Sequence, residues 1–103
     1  MEHRAAFELF VLHRLQDVCG CYCLTNASGT VLYVGQAVSV RRRLVQHFAG
    51  PKRTQLTAQG RVSQVGWRMA ALLELDRLER GWIAAVTLRD GCLPAMNRQG
   101  GPL

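Results

Sequence analysis

Two short apolar stretches rich in β-formers, residues 20–26 and 30–36, flank the turn residues Asn26-Ala27-Ser28-Gly29. That pattern predicts a β-hairpin with a four-residue loop, Gly29 supplying a positive φ. If Thr25 pairs with Thr30, Tyr22 lies opposite Tyr33 and Gly20 opposite Gly35. Both phenols then share one face, and Cys21, Cys23, Leu32 and Val34 fill the other, because side chains alternate along a strand. A bulge at Gly29 would shift this register by one residue.

Helical spacing takes over downstream. Ser39 is positioned to cap a helix running to about Ala49, stopped by Gly50-Pro51, with Val40, Leu44 and Phe48 as its inward stripe. Arg43 and His47, four apart, form a pair beside that stripe. Residues 7–18 are apolar at helical spacing and predict an amphipathic N-terminal helix within residues 1–18. Residues 50–60 read as a basic, mobile loop, 61–69 as a third strand, and about Ala71 to Val86 as a second long helix. The fold class expected is α+β: a three-stranded sheet, hairpin plus a strand near 62–69, with helices on both faces.

At 103 residues this is one domain, large enough for a modest core without staples. Thirteen Lys and Arg against seven Asp and Glu give a net charge of +6. All but one of those cations are arginine, the side chain that forks onto phosphate oxygens, so an anionic partner such as nucleic acid is indicated. No apolar run approaches the ~20 residues of a membrane helix, and the expected location is the cytoplasm, with the nucleoid if the source is bacterial. Cys19, Cys21, Cys23 and Cys92 are read as reduced core thiols; three of them sit two apart, which disfavours a zinc knuckle.

The second long helix holds an anomaly. Leu72, Leu75, Leu78, Trp82, Ile83 and Val86 define its apolar face, and Glu79 falls inside that face. A buried carboxylate needs a cation or a strong hydrogen-bond partner. Helix geometry alone favours an ion pair with an arginine such as Arg43 over a divalent metal.

Taken in order, these residues resemble the GIY-YIG nuclease family. Gly20-Cys21-Tyr22 is similar to its first motif and Tyr33-Val34-Gly35 to its second, with ten residues between the tyrosines. Arg43 with His47 one turn later, Leu78-Glu79 with Ile83, and Pro94-Ala95-Met96-Asn97 follow in the family's sequence. The resemblance covers roughly residues 19–98 of a single domain spanning 1–103. Cys21 stands where the family has Ile or Val, and Met96 where it often has Tyr. The segment from Ile83 to Pro94 is longer than in close relatives.

The resemblance implies a metal-dependent DNA endonuclease acting in repair, recombination or the processing of branched DNA. Its implied catalytic set is Tyr22, Tyr33, Arg43, His47, Glu79 and Asn97, with Glu79 holding Mg2+, or Mn2+ in its place. One tyrosine would deprotonate water, Arg43 would grip phosphate, and Asn97 would orient a tyrosine or a water. Arg41, Arg42, Lys52, Arg53 and Arg61 are the expected DNA contacts, and a protein partner is expected to supply substrate choice. The competing expectation is a non-catalytic nucleic-acid-binding module, or a nuclease active only with a partner.

Overall fold

The computed structural model describes residues 3–98. A four-stranded antiparallel sheet in the order β1-β4-β2-β3 forms its centre. Its strands are β1 His3–Ala6, β2 Gly20–Thr25, β3 Val31–Ala37 and β4 Gln64–Met69. The helices are a single turn α1 Leu9–Leu12, α2 Val40–Ala49 and α3 Leu75–Asp90. The fold is α+β as the sequence implies, with one strand more than expected.

That extra strand corrects the N-terminal reading. Residues 7–18 form one helical turn rather than a long helix, and β1 precedes it. β1 pairs with the otherwise bare edge of β4, His3 opposite Trp67, and Phe7 N–H extends the ladder to the Ser63 carbonyl at 3.0 Å. Backbone pairing on an open edge thus outweighs a weak helical preference. Phe7 and Leu12 then enter the core while Leu9 and Phe10 stay exposed, so the helical stripe of this segment is never used as one.

The hairpin is where the spacing placed it. Asn26 Oδ1 accepts from the Ser28 and Thr30 N–H groups at 2.9 Å each, closing a turn that needs the positive φ of Gly29, +91°. Its register differs from the expected one. Thr25 pairs with Val31, and after a bulge Leu24 pairs with Tyr33, Tyr22 with Gly35 and Gly20 with Ala37. Two one-residue shifts add up to two, which restores the facing. Tyr22 and Tyr33 remain on one face as diagonal neighbours, ring centroids 6.1 Å apart. The bulge leaves Leu32 as the extra residue and turns it away from the face of Cys21, Cys23 and Val34. It joins the cluster of Tyr22, Leu24, Val40 and Leu44 instead.

Helices cover both faces. Ser39 caps α2 by accepting from Arg42 N–H at 3.2 Å, and Val40 and Leu44 are fully buried against Tyr22 and Leu24. On the other face the Cys21 thiol points at the Leu75 carbonyl at the start of α3, 3.7 Å away. Leu72 lies in a 3-10 turn before α3 and is 61 % exposed, so it leaves the expected apolar face. Cys19, Cys21, Cys23 and Cys92 are all free thiols, but Cys92 is exposed, which corrects its assignment to the core. The 50–60 segment is ordered by a 3-10 turn at Pro51–Arg53 and a Thr57–Gly60 bridge rather than being a featureless loop.

Gly81, inside α3, adopts ordinary negative-φ backbone, and a Cβ there meets nothing within 4 Å. Gly81→Ala is therefore expected to stabilise the domain by about 1 kcal/mol through the unfolded chain. Thermal unfolding should show the midpoint rise by roughly 4–8 °C; an unchanged or lower midpoint contradicts the helix packing described.

Candidate active site

The two motif glycines are required by packing. Tyr22 reaches across the sheet so that its hydroxyl lies over Gly35, where a Cβ would sit 2.5 Å from that oxygen and 2.9 Å from the Tyr33 ring. At Gly20 a Cβ would fall 2.0 Å from the Arg68 carbonyl oxygen in β4. The space beside the phenols is thus taken by the protein's own atoms. It is not kept open for a ligand.

α2 delivers His47 to this point. The Tyr22 hydroxyl and His47 Nε2 are 2.7 Å apart, and the His47 ring meets the Tyr33 ring edge-on at 5.5 Å. Lys52, from the turn after α2, places its ammonium 4.6 Å from the Tyr33 ring centroid. Tyr22 is fully buried, whereas Tyr33 and His47 are half-buried, so the open side of the group is that of Tyr33.

The electrostatics follow from this placement. Burial, then the neighbouring Tyr33, pushes the Tyr22 phenol above its ordinary range, while the Arg43 guanidinium opposes that shift. Burial, then the charges of Lys52 and Arg43, pulls His47 down to about 4. In the tautomer with its ring hydrogen on Nδ1, neutral His47 accepts a hydrogen bond from the Tyr22 hydroxyl at Nε2.

A depressed histidine pKa means that the folded state binds its proton later than the unfolded chain. The His47 contribution to stability is therefore expected to fall as pH drops from about 6.5 toward 4 and to be lost below. An imidazole titration of His47 with a midpoint near 6.5 in the folded domain contradicts the buried placement.

Tyr22, Tyr33, Arg43 and His47 form one group, with Arg43 exposed and its Nε donating to Gln46 Oε1 at 3.1 Å. Glu79 stands apart from them. It is half-buried rather than buried, and Arg43 is not its partner: among the described residues Glu79 Oε1 accepts from the Gln36 amide at 2.9 Å. The same amide donates to Asp76 Oδ1 at 2.6 Å. Tyr22 and Glu79 thus converge on consecutive residues of the edge strand, Gly35 and Gln36, from its two faces.

Asn97 serves the free edge of β3. Its Oδ1 accepts from Val34 N–H at 2.9 Å and its Nδ2 donates to the Val34 carbonyl at 3.0 Å, as a neighbouring strand would. The cations expected on DNA have different neighbours. Arg41 turns to the Leu15 carbonyl and Asp17, Arg53 stacks on Phe48 at 4.3 Å, Arg42 and Arg61 are exposed, and Lys52 has joined Tyr33.

Asp76, Gln36 and the Lys52–Tyr33 contact were not singled out from the sequence. The available signals were Asp76 one turn before Glu79 and Gln36 directly after the second motif.

A fully buried phenol and a half-buried imidazole thus pair on a small α+β sheet whose motif glycines are close-packed, in a chain whose motifs follow the GIY-YIG order. Residues 18–72 match the model of the UvrC-like GIY-YIG domain, and the chain belongs to that family of nuclease domains. Over 40 residues it is 50 % identical to the UvrABC system protein C of Xylella fastidiosa (strain 9a5c). The match covers 38 % of this chain and 6 % of that much longer relative.

Proposed function

We propose that this domain hydrolyses DNA phosphodiester bonds with a divalent metal, Mg2+ or Mn2+, in DNA repair, recombination or the processing of branched DNA. The observation that carries the reading is the 2.7 Å contact between the buried Tyr22 hydroxyl and neutral His47. A phenol is a poor base at neutral pH. Tyr22, sealed from solvent in the free domain, avoids becoming a free phenolate by passing its own proton to His47 Nε2 as it takes one from a water admitted on the half-buried Tyr33 side when DNA binds. The hydroxide formed bonds to phosphorus as the P–O ester bond breaks, the leaving oxygen takes a proton from solvent, and His47 later returns its proton to solvent.

His47 then carries the positive charge. Lys52 and Arg43 disfavour that charge in the free domain, and a bound phosphate anion offsets them, so substrate raises the basicity of His47 when it is needed. Arg43, exposed and one turn before His47, is suited to fork onto the non-bridging oxygens. Asn97 acts through the Val34 backbone and holds Tyr33 in place.

The donor chemistry beside Gln36 fits a hydrated divalent cation. Two carboxylates one turn apart, Asp76 and Glu79, already share one positively polarised N–H2 group. Glu79 would hold the ion, with Asp76 as its neighbour. A bound Mg2+ supplies charge stabilisation at the phosphate.

The matched relative is named as a component of a UvrABC system, and we extend to this chain the expectation of a protein partner that delivers the DNA. Among the described residues no helix is long and apolar enough to cross a membrane.

A panel of duplex, single-stranded and branched DNA, with Mg2+, Mn2+ or EDTA, tests the reading. Cleavage of at least one DNA form is expected with metal, and none with EDTA. DNA binding without cleavage under every metal, alone and with a partner-containing extract, would leave the non-catalytic module as the function.

A further inference from the structure

The face of the sheet away from Tyr22 holds a cavity of about 250 Å3 beneath α3. Its floor is Cys23, Val34 and Gly66, and its roof is Trp82, Ala85 and Val86. Gly66 pairs with Cys23 and with Arg4, so the centre of the floor has no side chain, and the small Ala85 lines the cavity from the helix side. The hollow is therefore in part a consequence of sequence: Gly66 leaves the floor bare, and the small, exposed Ala85 borders the opening where a larger side chain would reach over it.

Two guanidiniums line this cavity and are themselves exposed, which places them at its mouth: Arg4 on β1 and Arg89 on the last turn of α3. Their positive charge reaches the buried Cys23 thiol on the cavity floor, where it opposes the upward push of burial. Arg4 has no ion-pair partner among the described residues, whereas Arg89 donates to both carboxylate oxygens of the adjacent Asp90, at 2.9 and 3.3 Å, an exposed pairing that a bound anion would compete with. Apolar walls with two cations at the opening complement a molecule that is apolar at one end and anionic at the other.

We propose that this cavity binds a small amphipathic anion, a single ring or short chain carrying one carboxylate or phosphate group. The size agrees: a cavity of about 150 Å3 already holds a benzene ring, which leaves room here for the ring and its link to the charged group. The site lies across the sheet from Tyr22 and His47 and does not depend on the hydrolytic reading.

Trp82 lines the cavity and Trp67 lies on the other face, so Trp67→Phe leaves a reporter at the site. Phenyl phosphate is the probe, compared with benzyl alcohol and inorganic phosphate on the same protein. Trp82 fluorescence should respond saturably to phenyl phosphate, and at least tenfold more weakly to either fragment. Arg89→Ala or Arg4→Ala, both at exposed positions, should weaken binding by about tenfold, as loss of one charge-assisted hydrogen bond does. Ala85→Leu should abolish it by filling the space, with circular dichroism confirming the fold. Equal affinity for benzyl alcohol or for inorganic phosphate overturns the proposal. So does undiminished binding to a folded Ala85→Leu protein, or to the arginine variants if Ala85→Leu does not fold.

Discussion

Tyr22→Phe is expected to reduce DNA cleavage by about two to four orders of magnitude, the usual contribution of a positioned acid–base group, in a domain that stays folded. The substitution removes one oxygen from a fully buried ring. Phe keeps the ring against Tyr33 and His47, so the packing that requires Gly35 is retained. His47 Nε2 loses its partner, which costs about 1 kcal/mol because the ring is half-buried and water can reach it. Tyr33→Phe separates the roles of the two phenols. The Tyr33 ring is held by Lys52 and by the edge of His47, contacts that Phe keeps, whereas its hydroxyl, which acts on Tyr22, is lost. A smaller loss for Tyr33→Phe, concentrated in KM, fits a phenol that places phosphate or water. Full activity in folded Tyr22→Phe would exclude the proton relay.

How much of this was legible depended on whether the deciding contact was local. Ser39, Gly50-Pro51 and the 40–48 stripe specify α2 within one window, and the structure follows them. The Asn26–Gly29 turn is equally local, since Asn26 closes it with its own side chain. The register was not legible, because a bulge at Leu32 realigns the strands and brings the Tyr22 hydroxyl over Gly35. No hydrophobic pattern announces a bulge when Leu32 is apolar in either setting. β1 was hidden for a related reason: His3–Ala6 becomes a strand only because β4 offers an edge 60 residues later. The polar positions of the site could be ordered along the chain but not assigned to faces. Glu79 was expected to need a cation or a strong hydrogen-bond partner, with an arginine favoured, and an amide from Gln36 takes that place; amide donors carry no charge signature in a sequence.

That partnership sets the last expectation, for Glu79→Gln. Gln keeps the volume and an acceptor oxygen but removes the charge that would hold a divalent ion. Cleavage is expected to fall by roughly two to three orders of magnitude, as when a central electrostatic group is lost. Stability should change by no more than about 1 kcal/mol, because the half-buried carboxylate has the neutral Gln36 amide as its hydrogen-bond partner among the described residues. Had Arg43 been its partner, the same change would have cost about 3 kcal/mol or more through a stranded charge. Asp76→Asn provides the comparison, since Asp76 touches the same amide but is exposed, and its charge is the less desolvated of the two. A smaller loss is therefore expected there, recovered in part by raising the Mg2+ concentration. Metal-free DNA binding should survive both changes, as the cations around Tyr33 and Phe48 are untouched. A Glu79→Gln protein that cuts at the normal rate in Mg2+ would move the metal, if one is used, away from this carboxylate pair.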